Sequence, residues 1–105
     1  MNQKLIISDY KNAITNLYGD RLYKIILYGS YARGDYNEES DIDFMVVLND
    51  DDIRPFKEID SITHVIYDYI LQYGVDISSV PTTKNKYLNS ALHFYEEVRR
   101  EGIEI

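Results

Sequence analysis

The sequence predicts a small α+β (or α/β) domain with helices packed on a mixed sheet, and three observations carry that expectation. Apolar residues recur at threes and fours in two long segments, short β-branched runs lie between them, and glycine or proline stands at the junctions. The resulting order is helix, strand, turn, strand, helix, strand, helix. At 105 residues the chain has room for one core, so a single domain over residues 1–105 is expected, with no separate substrate domain.

From Gln3 to Tyr18, the residues Ile6, Tyr10, Ala13, Ile14 and Leu17 share one helical face, and Gly19 ends the run. Leu22 to Tyr28 is short and apolar enough for a buried strand that Gly29-Ser30 breaks. Residues 31–34 suit one helical turn and residues 35–40 a polar loop. Ile42, Phe44, Met45, Val46, Val47 and Leu48 then read as a strand buried on both faces in its second half.

Residues 49–52 offer several N-caps, and Pro55 falls near a first helical turn, where its missing N–H costs little. Ile59, Ile62, Val65, Ile66, Tyr69, Ile70 and Tyr73 form the stripe of that helix, which Gly74 stops. Residues 75–80 make a third strand closed by Pro81. Thr82 or Thr83 caps one continuous helix over residues 84–100, Gly102 ends it, and residues 103–105 add a short edge strand.

Composition narrows the chemistry. A hydrophobic share of 45% and a charged share of 28% are those of an ordinary globular chain rather than a disordered one. There is no apolar run of about 18 residues and no secretory pattern at the N-terminus, which points to a cytoplasmic protein with no membrane partner. Without cysteine, and with only His64 and His93, thiolate and zinc sites are poorly supplied, so any metal should be a hard cation on carboxylates. The net charge of -7 repels polyanions and argues against duplex nucleic acid as a partner, though not against a small nucleotide arriving with its own cation.

The informative segment runs from Gly29-Ser30 to Asp41-Ile42-Asp43. Asp41 and Asp43 stand two apart at a strand start, so the pleat turns both carboxylates to one face. Two such charges about 5 Å apart repel by roughly 3 kcal/mol at an effective dielectric near 20, which calls for a cation. All-oxygen ligands select Mg²⁺ or Mn²⁺, and Mg²⁺ is commonly held by one or two carboxylates together with substrate phosphates. Gly29-Ser30 supplies the other half: a glycine after a strand lets backbone N–H groups approach a phosphate, and the serine hydroxyl adds a donor.

Gly-Ser, a ten-residue spacer and Asp-x-Asp resemble the signature of the DNA polymerase β-like nucleotidyltransferases. The fuller Gly-Ser-Tyr-Ala-Arg-Gly followed by Ser-Asp-Ile-Asp is similar to the smallest of them, the minimal nucleotidyltransferases. Phe94-Tyr95 and the segment Arg99 to Ile103 look like that family's usual C-terminal element, so the resemblance covers nearly the whole chain. It implies a polymerase β-like fold, a nucleoside triphosphate substrate (ATP foremost) bound by Gly29 and Ser30, and metals on Asp41 and Asp43. It also implies a third carboxylate on the next strand, for which Asp76 is the candidate as metal ligand and activator of the attacking hydroxyl. The plain alternative for Asp76 is a strand-edge acid in water.

Arg33 can reach either the phosphates or a motif aspartate. The resemblance further implies a HEPN-domain partner, with AMP transferred to it, on a tyrosine, so that this chain acts as antitoxin. Competing readings are an antitoxin that masks its partner without chemistry, and an aminoglycoside-modifying enzyme, which the missing second domain disfavours. Asp35, Glu38 and Glu39 read as solvated loop acids, and Ser40 as a loop-fixing hydrogen-bonding residue. His64, His93, Lys84, Lys86 and the later tyrosines read as surface or packing groups.

Overall fold

The computed structural model describes residues 3–105. Helix α1 (Gln3–Tyr18) leads through a short 3-10 turn into β1 (Leu22–Tyr28), and a single helical turn, α2 (Ser30–Arg33), follows. Then come β2 (Ile42–Leu48), α3 (Pro55–Tyr73), β3 (Ile77–Thr83), α4 (Lys84–Asn89), α5 (His93–Glu101) and β4 (Ile103–Glu104). The sheet has the order β3-β2-β1-β4. β1 is antiparallel to β2 and β4, whereas β2 and β3 run parallel, so the sheet is mixed as expected.

The two faces of the sheet have different covers. Ile25, Leu27, Ile42, Phe44, Val46 and Leu48 pack under α1 and α3 with Ile6, Tyr10, Ile14, Ile62 and Ile66. Tyr10 stacks on Phe44 with ring centroids 3.8 Å apart, and its hydroxyl shares a 2.7 Å hydrogen bond with Ser79. Burying that hydroxyl is tolerated because the bond satisfies it. On the opposite face Ile26, Met45 and Val47 meet Val98 of α5. Strand alternation puts Asp43 on this second face, two residues before Met45.

Two expectations need correction. The third strand begins at Ile77 and continues through Pro81 to Thr83 rather than closing before the proline. β3 is an edge strand, and a proline is accommodated where its missing N–H faces away from the ladder. The expected helix over 84–100 is two helices broken at residues 90–92. There Ser90 Oγ accepts from the Leu92 N–H (3.3 Å), and the Arg99 guanidinium donates to the Tyr87 and Ser90 carbonyls (2.8 and 2.7 Å). A serine offering the chain a local partner, and a cation satisfying the freed carbonyls, make the break stable. Thr83 caps α4 by accepting from the Lys86 N–H, as expected.

Candidate active site

The antiparallel ladder places Tyr28, the last residue of β1, opposite Asp43 near the start of β2. The chain leaves β1 through Gly29 at φ +71° and ψ −152°, a conformation open to glycine and strained for other residues. Space makes a second demand: a Cβ at Gly29 would lie 2.4 Å from Asp43 Oδ2. The loop backbone therefore lies directly against the Asp43 carboxylate, and only glycine allows it. Ser30 and Tyr31 follow as the first residues of α2, where backbone N–H groups have no partner within the helix.

Asp41 is exposed and Asp43 half-buried. Burial raises the Asp43 carboxyl above its ordinary value, the negative charge of Asp41 raises it further, and the positive charge of Arg33 opposes both. The carboxylates thus feel one another, as their spacing predicts. Tyr28 is pushed up to about 12, first by burial and then by the charge of Asp43. Neither motif aspartate forms an ion pair with a described Lys, Arg or His.

Asp76 lies one residue before β3, and its carbonyl accepts from the Ile42 N–H at 2.9 Å. The parallel register begins with Ile42 opposite Ile77, so Asp41 and Asp76 are the residues immediately before the paired segments of the two strands. The Asp76 side chain is exposed. Among the described residues, no three His, Cys, Asp or Glu side chains gather as a metal cage. The fold brings Asp43 against Gly29 with Asp41 close enough to raise it, whereas Asp76 does not join them in a three-carboxylate group among the described residues.

Arg33 donates to Asp35 Oδ2 (3.2 Å) and Glu101 Oε2 (3.3 Å), and so reaches neither motif aspartate directly. Asp35 is accordingly paired rather than simply solvated. Ser40 does fix the loop, its hydroxyl accepting from the Asn37 N–H at 3.0 Å. A cavity of about 140 Å³ opens beside Gly29, walled by Arg33, Tyr28, Phe94, Glu97, Val98 and Glu101. Sequence reasoning assigned none of the last five to the site. Phe94 and Glu101 stand within the C-terminal element, but nothing in their spacing ties that element to a loop 68 residues earlier.

The donor set suits a hard divalent cation: two like charges with no direct ion-pair partner among the described residues, carboxylate oxygens only, and a glycine cradle that a side chain would fill. The structure thus sets a glycine loop against an Asp-x-Asp pair at one end of a mixed sheet. The profile of the family described as "Nucleotidyltransferase domain" matches residues 7–102, and the chain belongs to that family. It is a nucleotidyltransferase. A relative from Methanocaldococcus jannaschii named "Putative protein adenylyltransferase MJ0604" is 38% identical over 105 residues, covering 97% of this chain and 96% of its own. Among solved structures, one described as "putative minimal nucleotidyltransferase" aligns over 100% of this chain and 97% of its own, with TM-score 0.64 and 19% identity. A toxin–antitoxin structure with AMP-PNP aligns over 99% of this chain and 72% of its own, with TM-score 0.59 and 21% identity. These two likenesses show the fold.

Proposed function

We propose that the chain transfers AMP from ATP, with Mg²⁺, to a tyrosine hydroxyl of a HEPN-type toxin and thereby acts as its antitoxin. The observation that supports this reading is the close approach of Gly29 to the Asp43 carboxylate, which sets the glycine loop against a pair of acids that have no direct ion-pair partner among the described residues. Gly29 and Ser30 hold the triphosphate with backbone N–H groups and the Ser30 hydroxyl, and Arg33 at the cavity edge adds charge-assisted bonds. Asp41 and Asp43 hold the cation. When bound, Mg²⁺ supplies charge neutralisation on the triphosphate and lowers the pKa of the acceptor hydroxyl. The hydroxyl oxygen forms its bond to the α-phosphorus, the bond to the bridging oxygen breaks, and pyrophosphate leaves. Asp76, exposed just before β3, takes the hydroxyl proton and passes it to water.

A protein acceptor suits such a site, because positioning by an interface can supply several kcal/mol that a freely diffusing alcohol does not receive. The relatives named for protein adenylylation and the toxin–antitoxin likeness support the same acceptor class. The test is incubation with α-labelled ATP, Mg²⁺ and the co-encoded protein. Label and one added AMP mass on a partner tyrosine are the expected outcome. Neutralisation of the partner without added mass would replace transfer by masking, and transfer to an aminoglycoside instead would reassign the acceptor.

A further inference from the structure

Glu101 is a carboxylate that the transfer reaction described above does not use, yet the fold delivers it to the edge of the site. Its Oε2 accepts from Arg33 Nη1 at 3.3 Å, its Oε1 accepts from Arg100 Nη2 at 3.3 Å, and only about a quarter of its side chain is exposed. The delivery is built into the backbone. A Cβ on the next residue, Gly102, would lie 2.4 Å from Ile26 Cγ2 and 2.5 Å from the Val98 carbonyl. Glycine at 102 therefore lets the end of α5 close onto β1, and Ile103 and Glu104 pair with Leu27 and Ile26 immediately afterwards. Glu101 is thereby anchored to the strand that leads into Gly29.

Arg33 has long, entropically costly freedom of its own and sits on a helix of four residues. Asp35 and Glu101 grip its guanidinium from opposite parts of the chain, and Arg33, Gly29 and Glu101 all line the same cavity. We infer that Glu101 is a positioning residue for nucleotidyl transfer: it holds the Arg33 guanidinium at the mouth of the Gly29 cavity, ready for the triphosphate. A planar guanidinium with several donors can keep one carboxylate and still present other N–H groups to a phosphate oxygen. The inference rests on the reading of Arg33 as a phosphate contact.

The test is a double-mutant cycle on nucleotide affinity, using a non-hydrolysable ATP analogue with Mg²⁺ in calorimetric titrations of the full chain. Arg33→Ala and Glu101→Ala should each weaken binding about tenfold, and the double variant should be no weaker than Arg33→Ala alone. Glu101→Asp should recover part of the loss, while the melting temperatures of the Asp and Ala variants stay close to each other. Glu101→Gln, which keeps an acceptor without charge, gives a second reading if the alanine variant folds poorly. Losses that multiply in the double variant, or a Glu101 effect seen in melting temperature but not in affinity, would overturn the inference. Wild-type protein that fails to bind the analogue would sink the function proposed above and this inference with it. Wild-type binding that Arg33→Ala leaves intact would remove this inference alone.

Discussion

The two ends of the β1–β2 ladder carry charge in opposite ways. At the end where β1 starts and β2 stops, Arg21 joins Asp50 at 3.0 Å and the buried Glu58 at 2.8 Å, and the Tyr18 hydroxyl donates to Glu58 Oε1 at 3.2 Å. Asn49 closes the same corner by donating its N–H to the Arg21 carbonyl at 2.7 Å. Arg21, Asp50 and Glu58 each have an internal partner, and the environment agrees: hydrogen bonding to Asp50 and Glu58 raises Arg21, and Arg21 lowers Asp50. At the other end, Asp41 and Asp43 share a sign and a face, and Asp43 is raised rather than lowered. The first cluster balances its charge through direct ion pairs, whereas this pair has no direct ion-pair partner among the described residues.

Asp43→Asn breaks that contrast most sharply. Nucleotidyl transfer measured with labelled ATP should fall by at least about 10²-fold, the scale on which a positioned electrostatic group acts, while the protein stays folded. Transfer at the wild-type rate would remove Asp43 from the site.

Arg21→Ala attacks the balanced end and should do the reverse. Removing one partner of a fully buried pair costs about 3–5 kcal/mol, and because Arg21 is 46% exposed a loss of about 2 kcal/mol is expected in urea unfolding. Affinity for the ATP analogue should be unchanged in the folded variant. A weakened affinity would mean the two ends are coupled.

Tyr18→Phe deletes a single bond of the same network and should cost about 1 kcal/mol, the usual net value of a buried hydrogen bond. No change in urea midpoint would show that Glu58 is satisfied by Arg21 alone.

The smallest effect concerns pH. Because the folded Asp43 carboxyl lies above its ordinary value of 3.8, its ionised form is disfavoured by folding. This group therefore opposes stability at pH above its folded value, and the penalty fades as pH falls through that value and vanishes below the unfolded one. Asp43→Asn should melt slightly higher than wild type at pH 7, by no more than about 4 °C, with the gap closing towards pH 4. A variant that melts lower at pH 7 would show that the ionised carboxylate is stabilised in the folded state.

Local chemistry made much of the architecture legible. α1, β1, β2 and α3 follow from periodicity and from glycine stops, since each buries a face whose spacing is written in consecutive residues. The Gly29-Ser30 and Asp41-Asp43 pairing was equally legible, because two residues apart on a strand means one face whatever surrounds it. The stripe on α3 is narrower than its spacing predicts: Ile62 and Ile66 are buried, but Ile59 is 37% exposed, while the charged Glu58 is buried. A hydropathy pattern cannot foresee that an arginine from a turn 37 residues earlier will neutralise a carboxylate inside the core.

The sequence by itself determined the sheet-forming segments, the loop after β1 and the placement of two carboxylates on one face, because these depend on bonds and alternation along a few residues. Only the tertiary structure decided that Pro81 lies within an edge strand, that α4 and α5 part at Ser90, and that Arg33 is held by Asp35 and Glu101. Each of those depends on which distant group satisfies a donor, an acceptor or a charge. Sequence spacing carries no information on that until the chain has closed on itself, with Gly102 against Ile26 and Gly29 against Asp43.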